Sequence, residues 1–312
     1  YGNGYQISYM NSGKMTNKGW EFRVDAVPFQ NKDWRVGVYF NIAHNENKIT
    51  EMPDNYIEEN YTFGNGNYAY RREEGRPMGS FYGYRYKGVY QNKDATYARD
   101  IEGNVMKDIS GNAIVMRNGS YTVAPGDAIY EDVNHDGVIN QYDIVYLGNS
   151  NPRLTGGAGL NVSYKQFKLS AIFYGRYGQD VVNATRLNNE SMRGIDNQST
   201  AVLRRWRNEG DQTDIPRALY GEGYNTLGSD RFVEDASYLR LKSLSFTYRL
   251  PKKAIQRWGF NNIDVYVTGY NLFTWTKYTG QDPEVKTENT YARDTATTPA
   301  SIQLVAGFNL SF

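Results

Sequence analysis

The stretch that decides the fold is Ser301–Phe312, SIQLVAGFNLSF. Ile302, Leu304, Ala306, Phe308, Leu310 and Phe312 alternate with Gln303, Val305, Gly307, Asn309 and Ser311. A period of two places those sets on opposite faces of a strand. Termini in water usually fray, so a full apolar stripe closed by an aromatic residue raises the question of which solvent it faces.

The pattern recurs upstream. Trp20, Phe22, Val24 and Ala26 alternate with Glu21, Arg23 and Asp25, and Trp34, Val36, Val38, Phe40 and Ile42 alternate with Arg35, Gly37, Tyr39 and Asn41. Ala158, Leu160, Val162 and Tyr164 share a face, as do Phe167, Leu169, Ala171 and Phe173. Across the pair Lys165-Gln166, a poor type I′ turn, Tyr164 and Phe167 fall opposite each other in matching register. Leu244, Phe246, Tyr248 and Leu250 precede Pro251, and Ile263, Val265 and Val267 follow. Continued upstream, that register turns Lys242 and Arg240 outward, which requires either a headgroup-level position or a bulge.

About seven long strands are predicted, over 16–29, 32–45, 153–164, 167–178, 237–250, 262–273 and 300–312. Connections 30–31, 165–166 and 251–261 are short, whereas 46–152, 179–236 and 274–299 are long. Short and long alternate, which puts every long loop at one end. A transmembrane antiparallel β-barrel has that organisation, and a soluble β-sandwich has no reason for it. The aromatic residues near strand ends suit interfacial girdles. Residues 1–15 are then an outer-loop remnant, 16–45 a barrel hairpin, 46–152 a long extracellular region, and 153–312 further barrel strands.

Composition sets limits. The 312 residues carry 28 Tyr and 31 Gly, no Cys, and 35 Lys+Arg against 34 Asp+Glu, with a mean hydropathy of −0.70. The balanced charge gives no nucleic-acid surface, and the lack of cysteine excludes disulfides and thiol chemistry. His44 and His135 lie far apart. No apolar run approaches the ~20 residues of a transmembrane helix, and the start, YGNGYQISYM, lacks the plan of a signal peptide. It reads as the middle of something longer. Carboxylate pairs such as Glu73/Glu74 and Asp25/Asp33 occur without a base, nucleophile and orienting group at motif spacing, so no enzyme is expected.

The segments GDAIYEDVNHDGVINQYDIVYLGNSNPRLTGGAGLNVSYKQFKLS, FVEDASYLRLKSLSFTYRLP and VYVTGYNLFTWTKYTGQDPE, with the final FNLSF, resemble the SusC/RagA family of TonB-dependent outer-membrane transporters of Bacteroidota; EGRPMGSFYGYRYKGVYQ is similar to the same family. The resemblance covers the C-terminal third of a typical member. It implies a barrel of about 22 strands closed by a plug and a bacterial outer-membrane location. The implied partners are a SusD-like surface lipoprotein lid, TonB–ExbB–ExbD acting through an N-terminal part not contained here, the remaining barrel and plug, and outer-membrane lipid and lipopolysaccharide. The implied function is active import of oligomeric glycans or peptides. A TonB-dependent siderophore or cobalamin receptor and a SusC-like structural subunit are the alternatives. Phe308, Leu310 and Phe312 resemble the membrane-assembly signal of such barrels.

The sharpest local motif is DVNHDGVINQYD, residues 132–143. Asp132, Asn134, Asp136, the Val138 carbonyl, Asn140 and Asp143 occupy positions 1, 3, 5, 7, 9 and 12 of an EF-hand-type loop, with Gly137 at the turn, a ligand set for Ca2+. Asp replaces Glu at position 12 and the flanks read as strands. Aromatic runs at 68–72, 80–90 and 271–278 offer stacking surfaces for substrate or lid. Residues 199–220 read as a short helix and loop presenting Arg204, Arg205 and Arg207 beside Trp206, and the inward Glu21, Arg23, Asp25 and Arg35 as paired networks.

Overall fold

The computed structural model describes residues 13–52, 66–69, 71–285, 287–288 and 291–312. Its frame is a seven-stranded sheet of β1 (Lys14–Gln30), β2 (Trp34–Glu51), β3 (Leu154–Tyr164), β4 (Phe167–Tyr177), β5 (Tyr238–Arg249), β6 (Asn262–Thr276) and β7 (Gln303–Ser311). The strands lie side by side in chain order, each pair antiparallel. β1 and β2 are 17 and 18 residues long, longer than the ~9–11 needed to cross a bilayer. They run past their expected ends at 29 and 45. No described helix is long and apolar enough to span a membrane.

One face of this sheet is apolar from edge to edge. Val38 pairs with Leu160, Leu160 with Ala171, Ala171 with Leu244, Val267 with Ala306 and Val265 with Phe308. Its large side chains are open to the surroundings, with Phe22 at 53 %, Phe246 at 48 % and Phe308 at 67 % exposure. A contiguous apolar surface of this extent is untenable in water and suited to hydrocarbon. The terminal stripe therefore faces lipid. Phe312 packs against Phe260 from the preceding short connection, ring centroids 5.3 Å apart and planes tilted by 38°. Tyr164 does stand opposite Phe167, with Lys165 at φ 50°. The connection 251–261 contains a helical turn, Lys252–Ile255, continued by the 3₁₀ turn Gln256–Trp258.

A bulge resolves the Lys242 and Arg240 question. Ser243 pairs with Ile172 and Leu241 with Phe173, so Lys242 is an extra residue in β5. On the other side Ser243 faces Tyr270 and Leu241 faces Phe273, with Asn271 at φ 53° between them. Beyond the bulge the parity flips. Leu239 and Leu241 join Trp275 and Phe273 on the apolar face, and Arg240 turns inward beside Thr274.

The buried core lies elsewhere. All three long connections leave the sheet at the same end and pack together. One cluster joins Tyr84, Tyr90, Tyr130 and Ile139 to Tyr224 and Leu227; a second joins Phe81 to Val182 and Phe232. Short pairs such as Ser80–Gly83 with Val145–Asn149, and a small sheet that includes Asp180–Asn183 beside Tyr291–Asp294, supply backbone partners. Cross-links are polar: Tyr86 N donates to Asp230 Oδ1 at 2.7 Å, Tyr130 Oη to the Tyr224 carbonyl at 3.0 Å, and Ala292 N to Ser150 Oγ at 2.6 Å.

Candidate functional site

Where β4 reaches the loop end, its inward positions are Tyr174 and Arg176, because the outward parity belongs to Phe173, Gly175 and Tyr177. The connection from β6 to β7 folds over this inner face and encloses a cavity of about 780 Å³, lined by Arg176, Gln179, Asp282, Glu284, Arg293 and Thr297 among others. Gln179, 2 % exposed, is fixed by donating to the carbonyls of Ala236 and Pro283, both at 3.1 Å.

The covering loop is held by the residue the bulge turned inward. Arg240 donates to Thr274 Oγ1 at 2.8 Å, Asp282 Oδ1 at 2.5 Å and Glu284 Oε2 at 2.8 Å. Lys242 Nζ reaches the same Glu284 oxygen at 2.8 Å. The Arg240 side chain is 3 % exposed, so its charge is acceptable only with carboxylates beside it. Burial pushes the Asp282 carboxyl up, but amide hydrogen bonds from Ala300 and Glu284 and the Arg240 guanidinium hold it below the usual carboxylate range.

The two cations that line the cavity are placed differently. Arg176 Nε donates to Tyr174 Oη at 3.2 Å, and its guanidinium lies 5.9 Å from that ring. Arg293 projects from Tyr291–Asp294 with a buried Nε that has no hydrogen-bond partner among the described residues. The Tyr238 ring lies under the Arg240 guanidinium, and its buried hydroxyl is likewise without a described partner. None of these inner residues was singled out from sequence. Only the charge alternation of β4 and the acidic pair in GQDPE hinted at them.

The 132–143 loop lies in the outer body. His135 at φ 57° and Gly137 at φ 79° turn the chain sharply. Asp132 Oδ2 accepts from Gly137 N at 2.8 Å, Asp136 Oδ1 from Val138 N at 2.8 Å, and Asn140 Oδ1 from Tyr142 N at 2.8 Å. Asp143 is fully buried and accepts from Val133 N and Asn140 N, each at 2.8 Å. Burial pushes its carboxyl up; the amides of Asn140 and Val133 oppose this, and the neighbouring Asp132 and Asp136 carboxylates add to it. Among the described residues no three acidic or His side chains by themselves form a metal-holding group. A cation here needs the amide and carbonyl oxygens as well. That donor set, hard oxygens only, fits calcium. Both flanks are strands, Ala128–Tyr130 before the loop and Val145–Asn149 after it, and the loop itself closes in a 3₁₀ turn, Gln141–Asp143, capped by Asn140.

The aromatic runs separate by role. Phe81 and Tyr82 are 0 % exposed and Tyr84 and Tyr90 nearly so, which makes 80–90 a packing core, not a stacking platform. In 68–72, Tyr68 is buried and Tyr70 lies outside the described residues. Phe273 and Trp275 face lipid, while Tyr278 is buried and donates to Asp294 Oδ2 at 2.6 Å. The segment 199–220 holds a 3₁₀ turn, Thr200–Arg204, in place of the expected helix. Trp206 is buried against Gly126, away from any display with Arg204 and Arg207, which are solvated. Of the inward charges on the first hairpin, Arg23 and Asp25 pair at 2.7 Å.

No family model matches the chain. Similar curated proteins are the TonB-dependent receptor P3 of Formosa agariphila, 32 % identical over 92 % of this chain, the TonB-dependent receptor P26 of the same organism, 30 % identical over 90 %, and the TonB-dependent receptor SusC of Bacteroides thetaiotaomicron, 28 % identical over 97 %. The chain spans 27 % of the length of each of these relatives. Among solved structures, the RagAB peptide transporter matches 99 % of this chain and 31 % of its own, at 27 % identity and a TM-score of 0.72. The RagAB peptide importer in its "closed-closed" state matches 97 % and 30 %, with a TM-score of 0.69.

Proposed function

As a member of the SusC/RagA family of TonB-dependent outer-membrane transporters, the chain supplies, we propose, part of the wall and the outer loops of an importer for oligomeric glycans or peptides. The observation that carries this reading is the two-faced sheet. Its apolar face meets lipid, its polar face lines a passage, and its long connections gather at one end as an outer body. Among the described residues, β1 pairs only with β2 and β7 only with β6. Rows of unpaired backbone groups cannot face hydrocarbon, so further strands complete the wall. The polar inner face then borders a lumen with the 780 Å³ cavity at its outer mouth. A SusD-like lipoprotein would close over that mouth, and TonB would drive a plug carried elsewhere in the protein. The Phe308, Leu310 and Phe312 stripe would mark the barrel for assembly.

The test is extraction of the native assembly in mild detergent, followed by mass spectrometry of the intact complex and of its denatured chains. A barrel-and-plug portion and a surface lipoprotein are expected with this chain. Its isolation without either, from cells whose growth on oligomeric nutrients survives deletion of the gene, would defeat the proposal.

The 132–143 loop would hold calcium through Asp132, Asn134, Asp136, the Val138 carbonyl, Asn140 and Asp143. The ion would neutralise the clustered carboxylates and brace the outer body, because Ile139, in the middle of the loop, is fully buried in its main cluster. Chelation is expected to expose a proteolytic site near this loop, and calcium to protect it. Asp136→Ala should show the chelated pattern with calcium present. Identical digestion with and without calcium would remove the ion from the account.

A further inference from the structure

We infer that the cavity at the outer end of the inner wall is a subsite for an anionic group, a carboxylate or sulfate, on the imported oligomer. The inference rests on the import reading and narrows its substrate class.

The argument is a balance of charge. Asp282 and Glu284 are the carboxylates of the cavity wall, and both are already engaged by Arg240 and Lys242. Arg176 and Arg293 line the same space, and neither forms an ion pair with a described carboxylate. Arg240 and Lys242 lie outside the lining and neutralise Asp282 and Glu284, so the surplus charge belongs to Arg176 and Arg293. The Asp282–Arg240–Glu284–Lys242 cluster fixes the covering loop, and Glu284 acts on Arg176 only at longer range, without an ion pair.

Guanidinium chemistry narrows the ligand. Its planar fork of donors matches oxyanions with two or three acceptor oxygens, and it gives up hydration more readily than an ammonium. Arg176 uses Nε on Tyr174 and keeps its terminal nitrogens for another acceptor. Arg293 is held by strand pairing of its backbone with Val182, so its position is set without its charge being used. Thr297 and Thr298 also line the space and add hydroxyls suited to the uncharged parts of an oligomer. A neutral ligand would leave both guanidiniums without an acceptor in a partly desolvated space, which is costly. An acidic one removes that cost.

The experiment uses the complete detergent-solubilised transporter assembly. Its probes are oligogalacturonate, a sulfated galactan oligomer and a poly-glutamate peptide, with malto-oligosaccharide and a Gly/Ser peptide of matched length as neutral counterparts. Binding is followed by calorimetry at two ionic strengths. At least one acidic probe is expected to bind, to weaken with salt, and to lose about tenfold in affinity in Arg293→Gln and again in Arg176→Gln. Arg293→Lys should recover part of the loss. An unchanged shift from folded to unfolded mobility on heating would show that the variants are assembled. Glycan and peptide arms distinguish the source of the anion. Preferred binding of neutral probes, or glutamine variants equal to wild type, overturns the inference while leaving import intact. Absence of binding and uptake for every oligomer, acidic or neutral, overturns both.

Discussion

Two inner-face positions show how single residues set the geometry of the wall. Gly159 pairs with Tyr39 across β2 and β3, and Gly307 with Tyr266 across β6 and β7. In each case the tyrosine ring lies over the glycine, where a Cβ would stand; at Gly307 it would meet Tyr266 Oη at 2.6 Å. Glycine in a strand interior weakens it unless a neighbour approaches closely, and the covering ring supplies the missing contact. Gly159→Ala is therefore expected to push the Tyr39 ring aside at a cost of about 1 kcal/mol, the low end for overpacking because an inner-face ring can swing. The readout is the temperature at which the barrel loses its folded mobility in a gel. Tyr39→Ala in the same chain should return that temperature towards the Tyr39→Ala level. A single variant equal to wild type, or a double variant no better than the sum of its parts, would refute the ring-over-glycine account.

The decisive element is the bulge in β5, because it turns one charged stretch from a liability into the anchor of a loop. A regular ladder through Lys242 would carry both Lys242 and Arg240 to the lipid face; the extra residue turns Arg240 inward. The contact at stake is that of Arg240 with Asp282 and Glu284, about 3 kcal/mol or more for a largely buried cluster broken from one side. Arg240→Gln is expected to release the 277–302 connection to protease, whereas Lys242→Ala, which keeps the extra residue and leaves Arg240 on both carboxylates, should be digested like wild type. Equal digestion of Arg240→Gln and wild type would show that Arg240 does not anchor the loop. The strands themselves were readable from alternation, since each faces hydrocarbon on one side and the period of two is uninterrupted over Trp34–Ile42 or Leu304–Leu310. The bulge was readable only as a conflict, Lys242 and Arg240 on the wrong parity, with two solutions. The inner cavity was not readable, because Arg176, Asp282 and Arg293 come together through the path of a loop without periodicity.

At the scale of the whole molecule, the wall and the outer body are stabilised by different physics. The wall buries little of its own side-chain surface and depends on lipid and on strand pairing. The outer body has an ordinary apolar core, closed over a buried carboxylate. Asp127, 0 % exposed, accepts from Arg217 Nε at 2.7 Å, Tyr121 Oη at 2.7 Å, Ala124 N at 2.8 Å and Asn225 Nδ2 at 3.2 Å. Two long connections, far apart in sequence, meet on this one side chain. Asp127→Ala leaves those donors unsatisfied and is expected to cost the outer body about 3 kcal/mol, the low end for a broken buried pair because Arg217, at 32 % side-chain exposure, can be rehydrated. The loss should stay in the outer body. Hydrogen exchange ought to speed up through the amides of Tyr90, Ala128 and Leu227, while the heat-induced mobility shift of the barrel is unaltered. If the variant lowered both together, wall and outer body would be one cooperative unit, and the division between a lipid-supported wall and a self-supported outer body would not hold.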